Sequence, residues 1–149
     1  MMNLHYILDE QGNPVFEPNY IEWARWYETA ERHIGDTTLG DIRISTVFLS
    51  LPHVSKEIGN DNMMLYETMV FADEATLKRL LELAETDDRS IFSQVFGGID
   101  IQKRYATRSE ALQGHKNMCI FIETCLTNGL LAQPSYDEPL IDYPRNNEP

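Results

Sequence analysis

The chain has 149 residues, of which 42% are apolar and 24% are charged, and its formal net charge is −12. These values are typical of one soluble globular domain, and no apolar run approaches the roughly 18 residues that span a bilayer, so no membrane association is predicted. The negative charge excludes direct binding to nucleic acid, because the phosphates would be repelled. It is explained either by solubility alone or by an acidic surface that meets a basic partner protein.

The first residues lack the basic and apolar segments of a secretory signal, so the sequence predicts a cytoplasmic protein. Two cysteines, Cys119 and Cys125, fall in one predicted helix. Six residues of helix rise about 9 Å, which is too far for a disulfide. Both are therefore predicted to be buried thiols, in agreement with a reducing compartment.

The first predicted elements are a small hairpin and a helix. Two short apolar runs flank a turn at Gly12 and predict the hairpin. A helix follows, with Asn19 as its N-cap and Gly35 as its stop. Its two tryptophans, Trp23 and Trp26, lie three residues apart on one apolar face, which indicates a core position for both.

The segment from Arg43 to Phe71 is predicted to be the central hairpin of the fold. Residues 36–41 precede it and are predicted to form turns. The first strand is rich in β-branched and apolar residues and is predicted to close at Pro52, where a polar loop begins. The partner strand is predicted to start at Met64.

Glu67 breaks the apolar pattern of that partner strand. It lies on the same strand face as Leu65 and Met69, where a carboxylate is costly unless it is paired. A salt bridge to Arg43 or Arg104 is predicted, and the alternative is a functional carboxylate.

The second half of the chain is predicted to be mainly helical. A helix over residues 73–85 is followed by a short turn through 91–96, a strand over 99–106 and a long helix over 108–127. Thr107 and Glu110 form the capping box that begins the long helix. Gly114 lowers the propensity of the long helix and indicates a close crossing over the sheet.

These elements predict an α+β fold with an antiparallel sheet of about four to five strands. The tryptophan helix and the long C-terminal helix pack against one face, with residues 72–96 as an inserted helical module. Residues 1–132 are predicted to form a single domain. The remaining residues, 133–149, are rich in proline and are predicted to be an irregular tail.

A basic corner stands out in this acidic chain between residues 103 and 116. It carries Lys103, Arg104, Arg108 and Lys116 against one acid, Glu110. A strand-to-helix corner of this charge binds an anion or phosphate, or else serves as the internal partner of the acidic majority. The candidate partner- or ligand-binding residues are Glu67, Lys103, Arg104, Tyr105 and Arg108.

No standard catalytic motif is present in the sequence. There is no glycine-rich phosphate loop, nucleophile elbow, CxxC pair or HExxH motif. His115 and Cys119 have helical i, i+4 spacing but supply only two metal ligands, so neither a metal nor a cofactor is predicted. An enzyme using Glu67 or His53 as an acid–base group lacks a second catalytic group, so no enzyme is predicted.

Four segments resemble a group of small, uncharacterised proteins of tailed bacteriophages and prophages. In chain order they are WARWYETA (23–30), STVFLSLPH (45–53), LYETMVF (65–71) and RYATRSEALQGH (104–115). Residues 72–96 depart from the group as an insertion. The resemblance implies a phage gene product and carries no catalytic residue or activity.

Three functions follow from these observations. The first is a phage-encoded acidic accessory protein that binds and inhibits a host protein with a basic surface, such as a nucleic-acid-binding defence effector of the kind that anti-CRISPR proteins block. The second is a small-ligand or nucleotide-binding protein that uses the corner at 103–108. The third is a phage structural or assembly protein. A homodimer is compatible with each.

Overall fold

The structure is a computed structural model that describes residues 4–54, 63–85 and 101–131. Within these ranges the chain forms the predicted α+β fold. The strands are β1 (Tyr6–Leu8), β2 (Pro14–Phe16), β3 (His33–Leu39), β4 (Ile42–Val54), β5 (Met63–Phe71) and β6 (Ile101–Tyr105), and the helices are α1 (Tyr20–Thr29), α2 (Glu74–Glu85) and α3 (Arg108–Thr127). The predicted turn at 91–96 and the tail at 133–149 lie outside the described residues, and the single domain at 1–132 stays a prediction.

The main sheet has four antiparallel strands in the order β3-β4-β5-β6, and β1 and β2 form a separate hairpin. The predicted central hairpin is confirmed as β4 and β5, which pair antiparallel from Arg43 opposite Phe71 to Phe48 opposite Tyr66. The predicted caps are confirmed as well. Asn19 accepts hydrogen bonds from two backbone N–H groups of α1, and Thr107 begins α3.

The predicted end of the first helix is wrong. Helix α1 stops at Thr29, and Gly35 lies inside β3, a strand in a stretch that was partly predicted to be helix and turn. The turn at Gly40, where φ is 61°, brings Leu39 opposite Ile42 and so places β3 against β4. Backbone pairing with a neighbouring strand outweighs the weak local preference of this polar segment.

The predicted strand end at Pro52 is also wrong, because β4 continues to Val54. The pairing with β5 shifts register between Phe48 and His53, and Ser50 within this irregularity has a φ of 73°. A proline is tolerated where the regular ladder of hydrogen bonds is interrupted. The strand therefore extends two residues past Pro52.

Ser50 joins three elements at this irregularity. Its hydroxyl accepts a hydrogen bond from the indole nitrogen of Trp23 at 2.5 Å and donates one to the backbone carbonyl of Tyr6 at 2.8 Å. Trp23 is buried, and Trp26 packs edge-on against Phe48 of β4. The predicted core position is thereby confirmed for Trp23, whereas Trp26 is half-buried at the edge of the core. These contacts join α1 and β1 to the main sheet.

Helix α3 covers one face of the sheet and contributes residues to two apolar clusters that lie between helix and sheet. One cluster lies towards α2 and contains Ile42, Ile44, Val70, Leu77, Leu80, Ala84, Ile101, Met118, Phe121, Ile122 and Cys125. The other lies towards α1 and contains Phe48, Leu65, Tyr66, Tyr105 and Ala111. Between the clusters, Thr46 and Thr68 stand opposite each other on the same sheet face, and both are fully buried. The core is therefore crossed by a polar row.

Candidate functional site

The basic corner forms where β6 leads into α3. Thr107 caps the helix: its hydroxyl accepts a hydrogen bond from the Glu110 backbone N–H, and the Glu110 carboxylate accepts one from the Thr107 backbone N–H, both at 3.1 Å. Because a carboxylate of the chain already lies at this helix end, the N-terminus of α3 is satisfied internally. Any anion bound at the corner would therefore depend on side chains.

Strand alternation separates the predicted site residues onto two faces of the sheet. Lys103 stands opposite Thr68, on the face that α3 covers. Arg104 stands opposite Glu67, and both belong to the other face. Arg104 Nε lies 3.0 Å from Glu67 Oε2, and the two side chains are 32% and 12% exposed. The predicted salt bridge of Glu67 is confirmed, with Arg104 as the partner.

Arg43, the other predicted partner of Glu67, pairs elsewhere. Its guanidinium makes two hydrogen bonds of 3.0 Å to the carboxylate of Asp36 on β3. The guanidinium beside Asp36 holds the pKa of that carboxyl below its usual value. The Asp36–Arg43 pair is far more exposed than the Glu67–Arg104 pair, so the two form a matched comparison.

Replacing Glu67 with glutamine is expected to lower the free energy of unfolding by about 1–2 kcal/mol, between the values for exposed and buried ion pairs. The loss follows because Arg104 keeps its charge on a partly buried surface without a carboxylate partner. Urea denaturation of Glu67→Gln, Arg104→Gln and the double variant measures the coupling. Asp36→Asn serves as the exposed control, for which a loss below about 1 kcal/mol is expected. Equal losses for both pairs would contradict the argument.

Lys103 and Tyr105 lie beside α3, and the Lys103 ammonium is 5.9 Å from the centre of the Tyr105 ring. Burial lowers the pKa of Lys103, and Glu110 acts in the opposite direction. Burial also raises the pKa of Tyr105, against a smaller opposing effect of the Thr68 hydroxyl. Gly114 of α3 lies directly on the Tyr105 ring, since a Cβ at that position would overlap the phenol. The predicted close crossing at Gly114 is confirmed.

Arg108 lies apart from Glu67 and Arg104, on the first turn of α3 against the β1–β2 turn. A Cβ on Gly12 would stand 2.9 Å from Arg108 Nε, and the glycine, with a φ of 82°, lets the two elements approach. Arg108 Nε and the Tyr66 hydroxyl are buried without a hydrogen-bond partner among the described residues. Burial raises the pKa of Tyr66 to about 12, although the charge of Arg108 acts against this shift.

Two cavities flank the first turns of α3. One, of about 520 Å³, lies between β6 and α3 and is lined by Met64, Lys103, Arg104, Tyr105, Ala106, Ser109, Glu110, Gln113, Gly114 and Asn117. The other, of about 450 Å³, lies between the β1–β2 turn and α3 and is lined by Asn13, Arg108, Ser109, Leu112, Gln113 and Lys116. The four cations of the basic corner thus all line a cavity, whereas Glu67 lines neither.

Sequence reasoning missed a hydrogen-bonded row built around His115. The imidazole Nδ1 lies 2.7 Å from the Thr46 hydroxyl, and Nε2 lies 2.9 Å from the Thr37 hydroxyl. Thr46 and Thr68 continue the row with an oxygen–oxygen distance of 2.5 Å. Burial lowers the pKa of His115, against a smaller opposing effect of Asp36. The only sequence signal was that Thr46 and Thr68 share a strand face with apolar residues.

The hydroxyl–imidazole contact resembles a nucleophile beside a base. Thr46, however, is completely buried, and its hydroxyl also contacts the Thr68 hydroxyl. The row satisfies polar groups in the core, as buried polar groups require.

Across the described ranges, no three His, Cys, Asp or Glu side chains are placed to hold a metal ion. None of the helices α1 to α3 is long and apolar enough to cross a membrane. Cys119 and Cys125 are not joined in a disulfide. Cys125 is buried, whereas Cys119 is only half-buried, so the predicted burial is confirmed for Cys125 and wrong for Cys119.

Comparison of the chain with protein-family models, with curated proteins and with solved structures finds no match.

Proposed function

We propose that this chain is a phage-type acidic accessory protein that binds and inhibits a host protein with a basic surface, such as a nucleic-acid-binding defence effector. The observation that supports this most directly is an exposed apolar surface within an acidic part of the chain. We call it the N-terminal face and define it by Phe16, Tyr20 and Ile21 with the acidic Glu17 and Glu22.

The N-terminal face combines apolar area with negative charge. Tyr20 and Ile21 at the start of α1 are each 61% exposed, and Phe16 at the end of β2 is 46% exposed. The backbone hydrogen bond from Glu17 to the carbonyl of His5 and the contact of the His5 ring with Tyr20 hold this part of the chain together. Exposed apolar groups rimmed by polar residues are characteristic of protein interaction sites.

The charge around this face determines the chemistry of the proposed partner. Residues 9–31 contain six acidic side chains, Asp9, Glu10, Glu17, Glu22, Glu28 and Glu31, against Arg25 alone. A basic surface with an apolar centre complements this pattern, and opposite charge accelerates association. Surfaces that bind nucleic acid have this basic character, so occupying one would block nucleic-acid binding.

The test is affinity capture from host lysate, followed by an assay with the purified captured protein. We expect the wild-type chain to retain a basic protein whose nucleic-acid binding it blocks, with affinity that falls as salt rises. The double variant Tyr20→Ser/Ile21→Ser should bind about tenfold or more weakly, because exposed aromatic and apolar anchors contribute most of the binding energy. The Tyr20 ring also contacts His5 and Trp23, so Ile21→Ser alone is the second variant: Ile21 is exposed, its replacement should leave the fold unaffected, and binding should still weaken.

Leu126→Ser on α3 is the matched control, since Leu126 is an exposed apolar residue on a different element. It should bind like the wild type. Retention of the partner by the double variant, or a captured protein that still binds nucleic acid normally, would contradict the proposal.

A further inference from the structure

We propose that the basic groove between the β1–β2 turn and α3 binds a small molecule that carries phosphate or carboxylate groups. The basic groove is the cavity of about 450 Å³ lined by Asn13, Arg108, Ser109, Leu112, Gln113 and Lys116. Its size is that of a site for a small ligand. It lies on other residues than the N-terminal face, so this inference stands independently of the proposed function.

The charge of the basic groove is opposite to that of the protein. The chain has a net charge of −12, yet the residues lining the groove include two cations and no acid. Neither Arg108 nor Lys116 forms an ion pair within the described ranges. The nearest acid in sequence, Glu110, is held in the helix cap. A concave surface of one sign concentrates its field on an oppositely charged ligand.

The burial of Arg108 strengthens its interaction with such a ligand. Its side chain is half-buried, and its Nε is fully buried without a hydrogen-bond partner in the described part of the chain. A partly desolvated guanidinium has lost water without gaining a protein partner, which is unfavourable. An oxyanion bound by the terminal guanidinium N–H groups would offset the desolvation of the positive charge by electrostatic attraction, and the planar fork matches the oxygens of phosphate and carboxylate.

The spacing of the cations indicates the length of the ligand. Arg108 and Lys116 are eight residues apart on α3, which corresponds to about 12 Å along the helix. A phosphate ester or a polycarboxylate, with polar groups at two ends, matches this separation better than one inorganic phosphate does. Between them, Ser109 and Gln113 supply neutral hydrogen-bonding groups and Leu112 supplies an apolar surface. The groove therefore suits a ligand with an anionic group at one end and a second polar or anionic group at the other.

The experiment is a ¹H–¹⁵N NMR titration of the full chain at low salt with pyrophosphate, adenosine monophosphate and citrate as separate probes. We expect saturable shifts for Asn13 and residues 108–116 with at least one probe. Saturation by the two phosphates alone would assign a phosphate ligand, and saturation by citrate alone would assign a carboxylate ligand; either result supports the proposal.

Arg108→Gln and Lys116→Gln should each lower the affinity for the saturating probe about tenfold, as expected for loss of one charged hydrogen-bonding contact. Lys116 is exposed, so its variant keeps the fold even if the Arg108 variant does not. Arg25→Gln, a cation on α1 that pairs with Glu22, is the control and should bind like the wild type. No saturable shift with any probe, or affinities unchanged in both groove variants, would overturn the proposal.

Discussion

Replacing Gly114 with alanine is expected to destabilise the protein by about 2 kcal/mol, although alanine is the better helix former. The added methyl group would overlap the Tyr105 phenol, which is buried between β6 and α3. Forcing atoms into a packed core typically costs about 1–3 kcal/mol, and this case lies at the upper end because the methyl group meets the ring itself. The improved helix propensity returns about 1 kcal/mol, which leaves a net loss of about 2 kcal/mol. The overlap should therefore outweigh the propensity.

Urea denaturation should show unfolding at a lower midpoint concentration of urea, with the same dependence of the unfolding free energy on urea concentration as in the wild type. Gln113→Ala, at the neighbouring exposed position of α3, should change stability by less than about 0.5 kcal/mol. In a Tyr105→Ala background, Gly114→Ala should become neutral or stabilising, because the overlapping ring is gone. A higher midpoint for Gly114→Ala in the wild-type background would show that Tyr105 is not packed on the helix as described.

Replacing His115 with leucine is expected to cost about 2–4 kcal/mol, although leucine has a similar size. The imidazole holds the hydroxyls of Thr37 and Thr46, and an aliphatic side chain bonds to neither. Each buried hydroxyl left without a partner costs about 1–3 kcal/mol. The Thr46 hydroxyl keeps its hydrogen bond with the Thr68 hydroxyl, so the total loss of stability should be smaller than the cost of two unpaired hydroxyls. His115→Gln, which keeps one hydrogen-bonding group, should be less destabilising.

The pH dependence of stability provides a separate test of the same residue. Burial lowers the pKa of His115 in the folded protein below its ordinary value. The unfolded chain therefore binds a proton at higher pH than the folded chain does. The stability that neutral His115 contributes is complete above its ordinary pKa of about 6.5 and is lost as the pH falls towards the lowered folded value.

Thermal unfolding between pH 5 and pH 8 should thus show a midpoint that declines on the acid side in the wild type. His115→Leu should lose that part of the decline, leaving only the contribution of the carboxylates. A profile of His115→Leu parallel to that of the wild type would contradict the assignment.

The sequence predicted those features of the fold that depend on interactions between residues close together in the chain. The caps at Asn19 and Thr107 bond to backbone groups within three residues, so spacing alone identifies them. Ile42, Ile44 and Thr46 alternate along β4 and are buried together, as the strand period of two requires. The pairing of Glu67 was predictable for a similar reason, because a carboxylate in an apolar strand requires a partner.

Long-range packing determined the parts that the sequence did not reveal. Strand β3 exists because the Gly40 turn returns the chain onto β4, and its own residues favour a strand only weakly. The His115 row needs three elements to converge, and the basic groove needs the β1–β2 turn to lie on α3. The strand period of two would have placed Lys103 and Arg104 on opposite faces, yet Asn13 as a groove residue could not be inferred from spacing.

The row centred on His115 also determines where α3 sits along the sheet. Apolar burial has no direction, so a helix on a uniformly apolar surface could slide at little cost. Hydrogen bonds are directional, and a shift by one helical turn, about 5.4 Å, would leave the imidazole among aliphatic side chains with no partner. The hydrogen bonds of His115 to Thr37 and Thr46 thus fix the position of α3 along the sheet. Because Arg108 and Lys116 are on the same helix, these buried hydrogen bonds also fix the geometry of the basic groove at the surface.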